Sequence, residues 1–164
     1  MSNVWVANAS PIIVLAKIGH LDLLTKLSLE VLLPQAVVDE IIAGPPADPA
    51  RQLIAGGWGS RAALQSISPD LIEWGLGPGE TSVLALALER APATAVLDDA
   101  AARTCAKVFG VPVIGSLGIV VRAKKLGLLP SAAETMQALR NAGLHLDDGV
   151  IRDALRHVGE TWQT

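Results

Sequence analysis

A short apolar segment that ends on two carboxylates, Ala95-Val-Leu-Asp-Asp99, constrains the fold of this chain more than any other feature. Apolar runs of this length are typical of strands that are buried on both faces of a parallel sheet. Residues 100–107 are rich in alanine and contain no helix breaker, so they predict a helix. Because open parallel sheets bind ligands at the carboxyl ends of their strands, Asp98 and Asp99 are candidates for a functional site. The alternative is that both aspartates merely cap the following helix.

Strand and helix patterns alternate along the rest of the chain. The predicted strands are residues 4–7, 30–33, 63–67, 95–97 and 111–114. The predicted helices begin at or near Ser10 (as N-cap), Leu21, Pro34, Pro49, Pro69, Thr81, Ala100, Leu117, Ala132 and Val150. This alternation predicts an α/β fold of three layers, α/β/α, around a central, mostly parallel sheet of four or five strands. The length of 164 residues and the absence of repeats predict a single domain, residues 1–164, with extra C-terminal helices from about residue 117 onward.

The composition narrows the class of protein. Hydrophobic residues make up 51% and charged residues 18%, which excludes a disordered chain. The mean hydropathy of +0.43 indicates that a further surface is buried against a partner, so we expect a homodimer. Cys105 is the only cysteine, which excludes disulfides within one chain. We find no signal-peptide pattern and no apolar run long enough to span a bilayer, and therefore expect a cytoplasmic protein without membrane contact.

The formal net charge of −3 argues against a generally basic nucleic-acid-binding surface, but the charge is unevenly distributed. No acidic residue lies between Asp99 and Glu134, whereas that stretch contains five basic ones: Arg103, Lys107, Arg122, Lys124 and Lys125. A basic face beside an acidic site would suit a phosphate backbone that meets a metal ion. The alternative is two ordinary solvated helix faces.

Three further polar residues sit at strand ends or early in helices: Asn8, Glu40 and Glu80. Each has a simple explanation, since Glu40 could lie on an exposed helix face and Glu80 could interact with a helix dipole. Together with Asp98 and Asp99 they could instead converge at the switch point of an open sheet. A hard divalent cation would then offset the repulsion between the carboxylates. Asn8 and Asp98 can share such an ion only if their strands are neighbours, so we predict that these two strands pair.

Other kinds of site are poorly supported. The three histidines, His20, His145 and His157, lack metal-ligand spacing and are interpreted as surface or capping residues. No nucleophile elbow, Walker loop or dinucleotide fingerprint is present. The four tryptophans are more typical of packing or interface residues than of base-stacking platforms: Trp5, Trp58, Trp74 and Trp162.

Several segments, taken in their order along the chain, resemble a branch of the PIN-domain family. They are residues 8–17, 37–41, 79–80 opening an Ala/Leu helix, 97–103, and 115–118 leading into Ala123-Lys124. The resemblance implies an α/β fold with a parallel sheet. It also implies a ribonuclease that depends on Mg²⁺ or Mn²⁺, as many members are. Many bacterial members are toxins held by a small antitoxin, of the VapBC type, so RNA and an antitoxin are the implied partners.

The resemblance also implies which residues form the site. The family's first, second and third acids fall on Asn8, Glu40 and Glu80, and the fourth falls on the pair Asp98/Asp99. All five would bind the metal, and the four acids among them would be catalytic. The implied RNA contacts are Ser10, Arg103, Lys107 and Ser116.

Asn8 departs from the aspartate that the wider family usually has at the first position. An asparagine still offers a carbonyl oxygen to a hard cation, but it removes one negative charge. Two hypotheses therefore stay open at this point. The first is a metal-dependent endoribonuclease, and the second is a degenerate PIN-like module that binds RNA or a protein partner without cleavage.

Overall fold

A computed structural model describes residues 3–163 of the chain, so residues 1, 2 and 164 of the predicted domain lie outside the described part. The strands are β1 (Val4–Ala7), β2 (Glu30–Pro34), β3 (Ser60–Ala62), β4 (Thr94–Val96) and β5 (Val113–Ile114). The first helices are α1 (Ala9–Lys17), α2 (Asp22–Leu27), α3 (Gln35–Ile42), α4 (Pro49–Ala55) and α5 (Pro69–Ile72). The later helices are α6 (Pro78–Glu89), α7 (Ala100–Val108), α8 (Ser116–Lys125), α9 (Ala132–Asn141) and α10 (Asp148–Arg156).

The five strands form one parallel sheet in the order β3-β2-β1-β4-β5, which confirms the predicted α/β/α fold. The chain runs outward from β1 through β2 to β3, then returns to the other side of β1 with β4 and β5. The switch point therefore lies between β1 and β4, where Ala7 pairs with Val96. The prediction that these two strands are neighbours is confirmed. Open sheets place their ligand sites at such a point.

Helix α6 is the central helix of one layer. It contacts β1, β2 and β4 as well as α3, α5 and α7. Its residues 81–87 are all buried, and a helix that is apolar nearly all round belongs inside the protein. Helices α1, α3 and α4 contact one another in a second group. Glu80 in the first turn of α6 lies 3.5 Å from Nδ2 of Asn8, so this turn lies close to the carboxyl end of β1.

The last three helices pack against one another, and Glu160 near the C-terminus caps one of them. Helix α8 contacts both α9 and α10. The carboxylate of Glu160 accepts hydrogen bonds from the N–H groups of Ala132 (2.8 Å) and Ala133 (3.0 Å) at the start of α9. Burial alone would raise the pKa of Glu160, but these hydrogen bonds outweigh it and hold the pKa below its usual range. Glu160 thus caps a helix from 28 residues away.

A second contact fixes the C-terminal segment to α10. Asp148 accepts hydrogen bonds from Nη2 of Arg140 at 2.6 Å and from Nε1 of Trp162 at 3.0 Å. The guanidinium of Arg140 also lies 5.3 Å from the ring centroid of Trp162. These hydrogen bonds lower the pKa of Asp148, that of Arg140 having the larger effect. Trp162 is therefore a packing residue, in line with its interpretation from the sequence, as is the fully buried Trp5.

Some element boundaries differ from the sequence-based predictions. The third strand is Ser60–Ala62 and not residues 63–67, because β2 ends at Pro34, which pairs with Ala62, and offers nothing further to pair with. Helix α1 has Asn8 and not Ser10 as its N-cap residue. Helix α6 begins at Pro78, three residues before the predicted start at Thr81, because proline suits the first turn of a helix. Within residues 3–163, no helix combines the length and apolar character needed to cross a bilayer.

Candidate active site

Asn8 stands where β1 ends and α1 begins, at the switch point of the sheet. Its backbone N–H donates to the carbonyl oxygen of Val96 at 3.1 Å, which ties it to the end of β4. Its side chain is 2% exposed, and its Nδ2 lies 3.5 Å from Oε1 of Glu80, at the limit of a hydrogen bond. The Oδ1 atom is buried and finds no hydrogen-bond donor among the described residues. A buried carbonyl oxygen without a donor is costly, so this atom is suited to an electropositive ligand.

Glycines at the start of α6 let two acidic side chains approach Asn8. A Cβ atom on Gly79 would lie 3.0 Å from Oδ1 of Asn8 and 3.9 and 4.0 Å from the two carboxylate oxygens of Glu40. A Cβ atom on Gly77 would lie 2.6 Å from Oε2 of Glu80. The backbone of Gly79 is therefore the surface around which Asn8, Glu40 and Glu80 meet.

Glu80 lies close enough to Glu40 to influence the ionisation of Glu40. Glu40 is exposed on α3 and Glu80 is half-buried in the first turn of α6. Although Glu40 as a whole residue is exposed, partial desolvation of its carboxylate raises its pKa, and the negative charge of Glu80 raises this pKa further. A cation bound between the two carboxylates would relieve this repulsion.

Asp98 is held by a different element, the start of α8. Its Oδ1 accepts a hydrogen bond from the backbone N–H of Ser116 at 2.7 Å, and its Oδ2 accepts one from the Ser116 hydroxyl at 2.6 Å. Asp98 is half-buried and Ser116 is fully buried. The short strand β5, which pairs with β4, places Ser116 beside Asp98.

Asp99 has the structural role that the sequence left as an alternative. It is the N-cap residue of α7, and its Oδ2 accepts a hydrogen bond from the N–H of Ala102 at 2.9 Å. Three residues predicted to contact RNA are exposed: Ser10 on α1, and Arg103 and Lys107 on α7. The fourth, Ser116, is buried against Asp98, and this position is unsuited to touching RNA.

The predicted metal ligands fall in two places. Within residues 3–163, no three His, Cys, Asp or Glu side chains lie close enough together to hold a metal ion. Glu40 and Glu80 meet at Asn8, whereas Asp98 is bound to Ser116. The first place fits Mg²⁺ or Mn²⁺, because two carboxylates and a carbonyl oxygen without a donor are the oxygen ligands that such ions prefer.

Reasoning from the sequence found all three residues of this cluster but missed the glycines that shape it. The signal was present in Gly77-Pro78-Gly79, where two glycines flank the proline just before Glu80. Glycine is favoured where backbone must approach another group closely. The role of Ser116 towards Asp98 was missed because it depends on the register of β5.

Comparison with known proteins identifies the family. Residues 4–160, which are nearly the whole chain, match the PIN domain in sequence. No curated protein matches the chain in sequence. PIN domains have a nuclease-type fold, and PIN nucleases typically use divalent metal ions. The match and the parallel sheet agree, and the chain therefore belongs to the PIN-domain family.

Proposed function

We propose that this protein is a divalent-metal-dependent endoribonuclease of PIN type. The observation that carries the proposal is the buried Oδ1 of Asn8, which lacks a donor and lies beside Gly79, where the carboxylates of Glu40 and Glu80 also meet. A cation-binding site explains both this atom and the two mutually repelling carboxylates.

The proposed roles of the site residues differ. Asn8, Glu40 and Glu80 would hold Mg²⁺ or Mn²⁺, and such an ion supplies an activated water and stabilises charge on the leaving oxygen. Asp98 follows β4, the strand next to β1, and would act on the same ion from that neighbouring strand end. No catalytic histidine and no covalent intermediate are needed. Glu40 must lose its proton before it binds a cation, and its raised pKa makes binding weaker in acid.

RNA would be held by cations outside the acidic cluster. Arg103 and Lys107 are exposed on α7, the helix that follows the Asp98 strand. Arg103 also donates from Nη1 to the carbonyl oxygen of Leu97 at 3.3 Å, which fixes its guanidinium near the strand end. Phosphate contacts by such residues give affinity without sequence preference and weaken with salt.

The test is cleavage of an unstructured mixed RNA pool with Mg²⁺, with Mn²⁺ and with excess EDTA. We expect cleavage with either ion and none with EDTA. The variant Glu80→Gln should abolish cleavage, whereas Glu73→Gln, an exposed glutamate outside the cluster, should cleave as the wild type does. Equal activity of Glu80→Gln and wild type, or cleavage that persists in EDTA, would contradict the proposal.

A second candidate function is a PIN module that binds RNA or a protein without cutting. Two observations favour it: Asn8 stands where an acid is usual, and three acidic side chains do not come together within residues 3–163. The same experiment separates the two functions. RNA that is retained in a filter-binding assay but stays intact with every ion would support the module.

We extend the first proposal to the cell: the protein would be the toxin member of a toxin–antitoxin pair in the cytoplasm, held inactive by a small antitoxin. The support is the resemblance to a branch of the PIN-domain family, many of whose bacterial members are toxins. Induced expression of the wild type should arrest growth, and Glu80→Gln should not. Growth that is unaffected by an active, well-expressed wild type would reject the toxin role but not the nuclease.

A further inference from the structure

Asp98 is held in a way that its neighbour Asp99 is not. Both carboxylate oxygens of Asp98 accept hydrogen bonds from one residue, Ser116, through its N–H at 2.7 Å and its hydroxyl at 2.6 Å. The two bonds fix both the position and the plane of the carboxylate, as bidentate pairs do. Asp99 instead accepts from Ala102, three residues further along the helix that it caps.

The fold provides this arrangement by pairing β4 with β5. The N–H of Leu97 donates to the carbonyl oxygen of Ile114 at 3.1 Å, so the two strand ends run side by side up to Asp98. Ser116 is the first residue of α8, and its N–H is one of the donors that have no partner inside the helix. The carboxylate of Asp98 takes up this donor from across the sheet.

Gly115 makes the close approach possible. A Cβ atom there would lie 3.0 Å from Oδ1 of Asp98 and would also collide with Nη1 of Arg103. Arg103 uses the same space to reach the carbonyl oxygen of Leu97. A side chain at position 115 would therefore push apart the three groups that meet at this strand end.

The hydrogen bonds from Ser116 leave Asp98 able to act. Each carboxylate oxygen has two lone pairs, and Ser116 occupies one on each oxygen. These two hydrogen bonds restrict rotation of the Asp98 carboxylate, so the remaining lone pairs keep a preferred direction. Residues that hold a ligating carboxylate in this manner tune metal sites, and their loss lowers metal affinity or activity about 10- to 100-fold.

We propose that Ser116 is a positioning residue, which acts on the site only through Asp98 and does not touch RNA. The proposal rests on the nuclease function proposed above, in which Asp98 acts on the ion that Asn8, Glu40 and Glu80 hold. It also assigns the site role within the aspartate pair to Asp98 and leaves Asp99 as the cap of α7. Ser116 is fully buried and therefore has no direct route to RNA.

The test measures Mn²⁺ affinity by the loss of the free-ion electron paramagnetic resonance signal, alongside RNA cleavage and melting temperature. We expect Ser116→Ala to lower Mn²⁺ affinity about 10- to 100-fold. Its RNA affinity, measured in EDTA, should equal that of the wild type. The matched control is Ser131→Ala, since Ser131 also starts a helix and its hydroxyl also lies by a carboxylate, that of Glu160 at 3.2 Å. The control should lose stability but bind Mn²⁺ normally.

A double-mutant cycle tests whether Ser116 acts through Asp98. In the Asp98→Asn background, Ser116→Ala should lower Mn²⁺ affinity no further, because the two residues form one unit. Wild-type Mn²⁺ affinity in Ser116→Ala, additive losses in the cycle, or weakened RNA binding in EDTA would each overturn the proposal. If wild type and Glu80→Gln are alike in binding no Mn²⁺, the nuclease proposal itself fails. If Glu80→Gln alone loses Mn²⁺, the nuclease proposal stands and the cycle decides on Ser116.

Discussion

At the scale of single residues, Asn8 carries a hydrogen-bond donor where the wider family usually has the negative charge of an aspartate. An aspartate in its place would lose the contact of Nδ2 with Glu80 and add a third negative charge beside two carboxylates. The native asparagine therefore lessens repulsion in the metal-free protein, at the expense of attraction for a cation. Asn8 sets a balance between stability without metal and affinity for it.

The first prediction concerns this balance. Asn8→Asp should bind Mn²⁺ about tenfold more tightly, which corresponds to about 1.4 kcal/mol, and should cleave RNA faster. Without metal, the same variant should melt at a lower temperature than the wild type, because the third charge is buried with nothing to neutralise it. Melting curves in EDTA and in Mn²⁺ measure both effects. Equal metal-induced shifts in the two proteins would contradict the assignment of Asn8 to the site.

The second prediction follows from the space at Gly79. Gly79→Ala should weaken Mn²⁺ binding, because its methyl group would lie 3.0 Å from Oδ1 of Asn8. Its stability should hardly change, since alanine favours the helix while the new contact is tight. Gly149→Ala is the matched control: Gly149 is also the second residue of its helix, and a Cβ atom there meets nothing within 4 Å. Calorimetric Mn²⁺ titration of both variants should show a loss only for Gly79→Ala.

The third prediction is a pH dependence at Glu40. The pKa of Glu40 is raised in the folded protein, so protonated Glu40 is favoured on folding and this stabilisation is lost as the pH rises through that pKa. Glu40→Gln should therefore raise the metal-free melting temperature at pH 7 and have little effect at pH 4. Thermal melts across this pH range in EDTA measure the difference. A stabilisation that is independent of pH would show that the charge of Glu40 is not its cause.

At the scale of elements, Glu160 joins the C-terminal segment to α9. Its pKa is lowered on folding, so its contribution is present above the ordinary value of 4.5 and is lost as the pH falls through the folded value. Glu160→Gln should cost about 1 kcal/mol at pH 7, as the loss of a helix cap does. Asp153→Asn, whose carboxylate forms an exposed ion pair with Arg156 at 3.0 Å, should cost much less. The difference between the two variants in urea unfolding should shrink as the pH falls below 4.5.

Elements were more predictable from the sequence than the contacts between them. The pairing of β1 with β4 was predicted from the polar residues at the ends of the two strands. Most helices start within a few residues of the predicted position. The strand predicted at 63–67 failed because strand formation depends on a partner, and β2 had already ended at Pro34. Local pattern shows what a segment prefers, whereas pairing depends on the neighbouring element.

In the candidate site, too, the residues were predictable from the sequence, whereas some of the contacts between them were not. Asn8, Glu40 and Glu80 were identified by their place near strand and helix ends, and the structure brings them together at Gly79. The separation of Asp98 from Asp99 could not be foreseen, since adjacent residues have the same local pattern. Only the register of β5, which places Ser116 beside Asp98, distinguishes the two.

For the same reason, Asp98→Asn should lose stability as well as activity, because Ser116 would face a weaker acceptor.

At the scale of the whole molecule, exposed apolar side chains bear on assembly. Leu126, at the end of α8, is 64% exposed, and Val108, at the end of α7, is 66% exposed. We predict a homodimer that uses the late helices. Light scattering should give twice the monomer mass, and Leu126→Lys should give a monomer, whereas Ile72→Lys, which alters an exposed residue of α5, should not. A monomer for the wild type at all concentrations would reject this interface.

The order of the strands has a consequence for the protein as it is being made. β1 emerges from the ribosome first, yet its neighbour β4 begins only at Thr94, after well over half of the 164 residues have been synthesised. Until then, one side of β1 has no strand beside it, and α6, which carries Glu80, lacks its contacts with β4. A nascent chain therefore carries Asn8, Glu40 and Glu80 before the neighbouring strand and Asp98 have been made. Under the proposed function, a chain built in this order would not cleave the RNA from which it is being translated before Asp98 has been made.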